Sequence, residues 1–251
     1  MNDAELIDYV AQGGRLTAPG NVTPRYRAEL MRLMASFVDS EMAGSAGFAD
    51  HINDGPGIKE RIAASRIVLE KLDSAERVLK IMAEFGADTG RYVGQHPWAQ
   101  RLDRDADIGT ERLPGDMRLN ALHYPVEGWA DAVVMNVLMG WATVITLRDY
   151  AYVSYQPLAE AFRAILPSEV RHAELGEEGL RTLAETEDKA GLQASVDYWY
   201  PRVAASFGAA GSRRVETLQR FGLRHSPNEA LQGRWHDAMS QALGDVGLKP
   251  A

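Results

Sequence analysis

An all-α protein is what this sequence predicts: four long helices in one bundle, followed by shorter C-terminal helices. Three observations carry that prediction. Apolar residues recur at i, i+3, i+4 and i+7 through several long windows, which is the period of a helix face. Helix punctuation brackets those windows, at Thr23-Pro24, Gly55-Pro56-Gly57, Gly86 and Gln156-Pro157. No stretch reads as alternating strands separated by turn residues.

The elements follow in order. Thr23 is a helix cap and Pro24 occupies the first helical position, so a first helix runs to about Gly44. The second spans Ile58 to a stop at Gly86. Residues 87–128 carry mixed charge, several glycines, Pro97 and Pro114, and read as a long, mostly irregular connection. A third helix covers about Glu127 to Tyr152. The fourth begins after Pro157 and ends near Glu185, with a kink or restart required at Pro167. Shorter helices follow at about 190–207, 212–221 and 228–243. With no linker or low-complexity tract, residues 1–251 form one expected domain. Its bundle core is about 24–186 and its helical extension about 190–245.

Composition narrows the function classes. A net charge of −8 without a local basic cluster argues against a nucleic-acid partner. The absence of cysteine removes disulfides, thiolate metal ligands and cysteine nucleophiles. The first residues lack the positive and apolar regions of a signal peptide. The longest apolar run, Ala132 to Leu147, falls short of the ~20 residues that cross a bilayer. It reads as a buried bundle helix, so no membrane partner is expected and a cytoplasmic location is the default.

Polar residues interrupt the apolar stripes. Leu30, Leu33, Met34, Phe37, Val38 and Glu41 share one face of the first helix. Phe162, Ile165, Leu166, Glu169 and His172 share one face of the fourth. On the second helix the series Ile67, Lys71, Ser74, Val78, Ile81 contains a lysine and a serine. A register one residue different turns the helix by ~100° and instead presents Glu70 and Asp73. On the third, the inward series is Val133, Val137, Gly140, Val144, Leu147; Gly140 leaves a gap for a ligand side chain or permits close helix approach. Buried carboxylates at 41 and 169 need a cation, a proton or a hydrogen-bond network. A metal ion is one solution, and Lys71 between the two acids is another.

Glu169-Val170-Arg171-His172 is the most specific chemical signal. The pair places a carboxylate and an imidazole one turn apart on one helix face. Ferritin-like carboxylate bundles use two such pairs plus one acid from each of two other helices. Only His172 among the histidines has a glutamate three residues before it.

From about Thr23 to the C-terminus the chain resembles the phenylacetic acid degradation family of ferritin-like oxygenases. The matching residues are Ser40-Glu41 with Gly44, His123-Tyr124-Pro125 with Trp129-Ala130-Asp131, and Ser154-Tyr155 with Pro157. Glu169 to His172, Trp199-Tyr200-Pro201 and Phe207-Gly208 complete the series. The resemblance implies a ferritin-like bundle in which Glu41 matches the first-helix iron ligand, and Glu169 and His172 the fourth-helix pair. The family's second-helix Glu-x-x-His falls on Lys71 to Ser74, and its third-helix acid on Gly140. The family's catalytic chain uses two irons to epoxidise a CoA-linked aromatic ring, with electrons from a partner reductase. With a partial ligand set of Glu41, Glu169 and His172, and Glu70 or Asp73 as substitutes, one iron or none is expected rather than two.

Two functional expectations follow. One is an oxygenase-like protein of phenylacetate catabolism acting on an acyl-CoA. The other is a metal-free structural or regulatory paralogue in which Lys71 replaces the metal charge. Either is expected in a homo-oligomer, or in a hetero-oligomer with another helical-bundle subunit. A bundle that binds or hydrolyses a CoA ester without redox chemistry finds less support, because no nucleophile with an adjacent base is visible.

Overall fold

The computed structural model describes residues 1–111 and 113–251. Among these residues the fold is all-helical, a bundle of long helices with shorter ones packed on it. The only strand-like pairing there is an isolated bridge between Leu16 and Tyr155. Through it, Leu16 exchanges backbone hydrogen bonds with Ser154 and Gln156 and pins the N-terminal segment.

Helix α1 spans Asp3–Ala11, an element the sequence reading passed over. Its signal was local: Asn2 and Glu5 form a reciprocal capping box at 3.0 and 2.9 Å. Helix α2, Pro24–Asp50, starts where expected, with the Thr23 side chain accepting from the Tyr26 amide. It continues past Gly44 because packing on α3, Ile58–Glu84, outweighs the weak propensity of its glycines. α3 stops before Gly86, whose φ of +85° suits a residue without a Cβ.

The connection after α3 is less irregular than its composition implies. It contains α4, Thr89–Gln95, capped by Asp88, and a short 3-10 turn at Asn120–His123. The buried guanidinium of Arg118 ties it together, donating to Asp116 and to the carbonyls of Pro97, Trp98 and Gln100. Arg101 donates to the Ala43 carbonyl on α2.

Helix α5, Gly128–Tyr150, is apolar on nearly every side and lies at the centre, against α6, α7 and α9. It is long and apolar enough to cross a membrane by composition, but its most apolar stretch is largely buried by the other helices. Helix α6, Gln156–Thr186, runs unbroken through Pro167, so of the expected kink or restart there is no restart. Pro167 lies on the exposed face, where water can satisfy the carbonyl that the proline leaves unpaired. Helices α7 (Lys189–Ala205), α8 (Arg213–Arg220) and α9 (Asn228–Gly244) complete the fold.

Two apolar clusters form the interior. One gathers Tyr26, Leu30, Met34, Val78 and Phe162; the other joins α5 to α7 and α9 through Val134, Leu138, Trp199 and Trp235. On α2, Val38 belongs to the first cluster and Ala43 to the second. Glu41 therefore sits where the two meet.

Candidate functional site

Three helices bring four ionisable side chains to that junction. Glu41 comes from α2, Lys71 from α3, and Glu169 and His172 from α6. Glu169 and His172 are fully buried and Glu41 nearly so. The Lys71 ammonium bridges the carboxylates: Nζ lies 3.2 and 3.4 Å from the Glu41 oxygens, and 3.2 and 3.4 Å from those of Glu169. Its aliphatic stem passes 3.5 Å from where a Cβ on Gly44 would stand, so the missing side chain leaves α2 smooth beneath it.

The register of α3 is the one that points Lys71 and Ser74 inward. Ser74 is buried one turn beyond Lys71, whereas Asp73 is exposed on the outer face and takes no part in the centre. Glu70 lies at the edge of α3 but reaches across to α6, where His172 Nε2 donates to its Oε2 at 2.7 Å. His172 Nδ1 is 3.4 Å from Glu169 Oε1, close enough for attraction but not aligned as a hydrogen bond. The result is a continuous row from Glu41 through Lys71, Glu169 and His172 to Glu70, whose side chain is about one-third exposed (32 %).

Close packing of α5 on α6 holds the row in place. A Cβ on Gly176 would meet the Asn136 amide nitrogen at 2.8 Å and the Val137 backbone nitrogen at 3.3 Å. Asn136 also donates to the His172 carbonyl at 3.0 Å. Gly140 belongs to this seam: a Cβ there would lie 3.3 Å from both Ala173 Cα and Cβ. Gly140 thus permits the close helix approach, and it also borders a small space beside Glu41 and Lys71.

Burial and charge divide the two acids. Burial raises the Glu41 carboxyl, and the neighbouring Glu169 charge raises it further, to about 8 despite Lys71. Burial opposes ionisation of Glu169 too, but Lys71 and His172 outweigh it and hold that carboxyl at about 2. Lys71 itself is pushed upward, because its two carboxylates outweigh the cost of burial. At neutral pH Glu41 is thus held protonated and Glu169 ionised beside the Lys71 ammonium.

This donor set does not fit a two-iron centre. The position facing both carboxylates holds a cation of the protein's own, the side chain α3 buries one turn on is the Ser74 hydroxyl, and among the described residues no α5 carboxylate lines the space. Among the described residues, no three His, Asp or Glu side chains converge to hold a metal ion.

Two features lay beyond the sequence reading. A cavity of about 400 Å³ ends at Glu41, lined by Phe37 and Ser40 of α2, Met139 and Thr143 of α5, and Leu218 of α8 among others. A smaller one of about 30 Å³ touches Glu41, Lys71, Glu169 and Gly140. The second feature is Asp131, which accepts from Arg104 at 2.9 and 3.2 Å, Ser195 at 2.5 Å, Trp199 at 2.8 Å and the Glu127 amide at 2.9 Å. Those bonds outweigh burial and keep its carboxyl below the usual range. Asp131 and Trp199 carried a sequence signal as motif residues, but nothing in the sequence showed that they touch.

Among curated proteins, none matches the chain closely enough to extend these observations. A family model described as phenylacetic acid catabolic protein matches residues 11–251, nearly the whole chain, with Glu41, Lys71, Glu169 and His172 all inside it, and the chain belongs to that family.

Proposed function

We propose that this protein serves phenylacetate catabolism as a metal-free, ferritin-like bundle subunit with a structural or regulatory role. Lys71 takes the place of metal charge, and the cavity beside Glu41 receives an acyl-CoA. The observation that carries the reading is the Lys71 ammonium within 3.2 Å of both Glu41 and Glu169. An ammonium there stabilises one ionised carboxylate and would repel a divalent cation entering the same space. Supporting the ligand assignment, a volume of about 400 Å³ suits a small acyl group. Arg32 and Arg214 at its lining are about half exposed and share one acid, Glu29, at 2.8 and 3.3 Å, so the two guanidiniums leave net positive charge there for anionic phosphates. Residues 1–251 act as one domain in this reading, in the cytoplasm.

The test is elemental analysis of protein expressed in iron-rich medium. We expect iron far below one atom per chain, and measurable uptake after Lys71→Glu combined with Ser74→His. Two tightly held irons in the natural chain would end this reading.

A second reading has one specific support. Glu70 adds a third carboxylate beside His172, so a single iron on Glu41, Glu169 and His172, assisted by Glu70, would define an oxygenase-like protein. It requires Lys71 to leave the centre. Stoichiometric uptake of one iron by the natural chain, abolished by His172→Ala, would favour it over the first.

A further inference from the structure

The buried face of α3 builds the polar centre, while its opposite face is apolar and uncovered. Ile58, Ile62, Leu69 and Leu72 are 76, 53, 59 and 39 % exposed. With Ser65 between them they follow the alternating four-and-three spacing of a helix–helix seam. The other large exposed apolar residues, Met1, Tyr9, Val93 and Tyr152, are scattered singly over separate parts of the fold. A single exposed leucine needs no explanation, but four large aliphatics on one straight helix mark a contact surface.

We infer that this face of α3 is a self-association surface that takes a second copy of the chain, antiparallel about a two-fold axis at Ser65. The spacing and the charges both select that arrangement. An axis at Ser65 sets Ile62 of one copy opposite Leu69 of the other, and Ile58 beside Leu72, so every aliphatic meets an aliphatic. The same operation brings Lys59 beside Asp73, twice by symmetry, against one like-charged pair, Arg66 with its own counterpart near the axis. A parallel pairing would instead set Arg61 of one copy beside Arg66 of the other, twice by symmetry. Ser65, small and exposed at the axis, lets the two backbones approach where a larger residue would hold them apart. The surface is independent of whether the polar centre binds metal, since its side chains point away from that centre.

Sedimentation velocity on the full chain at micromolar concentration tests the inference. The natural protein is expected to be a dimer. Leu69→Glu should be a monomer with unchanged helix content by circular dichroism. Lys59→Asp and Asp73→Lys should each weaken the dimer about tenfold, by placing like charges together. The combined Lys59→Asp/Asp73→Lys protein should recover it, because the symmetric pair is then restored with its signs exchanged. A monomeric natural protein would overturn the inference, as when the face serves a different bundle chain. A dimer that survives Leu69→Glu would place the interface elsewhere. Failure of the combined variant to recover would rule out the antiparallel register.

Discussion

Lys71 places an ammonium between the two buried carboxylates, Glu41 and Glu169. Its place on an apolar stripe was legible, but the register that turns it inward, rather than the one presenting Glu70 and Asp73, was not. The Glu70–His172 contact was not legible. Glu70 lies about 100° around α3 from Lys71, and only the length of its side chain lets it span the gap to α6. The centre has a pH signature. The native protein keeps a proton on Glu41 up to about pH 8, which the unfolded chain loses near its ordinary value of 4.5. Its contribution is therefore complete below the ordinary value and is lost as pH rises through about 8. Glu169 acts oppositely: its contribution is present above the ordinary carboxylate range and is lost as pH falls towards about 2. Glu41→Gln should flatten the fall in melting temperature between about pH 5 and 8 while keeping the acid limb. Melting curves across pH for both proteins measure this, and an unchanged neutral-to-alkaline slope in the variant would contradict the assignment.

At the scale of elements, helix punctuation predicted the starts of α2, α3 and α6 well, since Thr23-Pro24, Gly57 and Pro157 act through local backbone geometry. Ends were harder. α2 outruns Gly44 because contacts with α3 override propensity, and α6 passes Pro167 because that turn faces water. Gly140 is the sharpest case of information that sequence lacks. A glycine on a buried stripe is equally compatible with a vacancy and with a close crossing, and only the position of Ala173 reveals the crossing. A side chain at 140 would therefore have to displace α6 by a few tenths of an ångström. Gly140→Asp should push these helices apart and bury a third carboxylate beside Glu41 and Glu169. We expect a loss of about 1–3 kcal/mol from overpacking alone, with the buried charge adding to it. Urea denaturation gives the value; a variant as stable as the natural protein would mean that α6 does not rest on Gly140 in solution.

Across the whole molecule, the polar row lies where two apolar clusters meet, and the larger cavity opens from the same junction. Sequence periodicity identified the stripes but not this volume. The cavity is bounded by α2, α5, the turn around Phe207-Gly208 and α8, elements far apart in the chain whose mutual distance no periodicity encodes. Glu41 and Thr143 both stand at the end of it that borders the smaller space beside Lys71, which they also line. A ligand bound there would stabilise the fold by mass action: at about a hundred times its dissociation constant it adds about 2.7 kcal/mol. For a chain of this size that raises the melting temperature by several degrees, on the order of 5–10 °C. A panel of CoA esters differing in acyl group should therefore separate, with compact aromatic acyl groups giving the larger shifts and free CoA a smaller one. Thr143→Phe fills the inner end of the cavity and should erase the difference between acyl groups, while leaving the response to free CoA. If no CoA ester shifts the natural protein, the cavity does not serve this ligand class; if Thr143→Phe leaves the acyl ranking intact, the acyl group does not reach the Glu41 end.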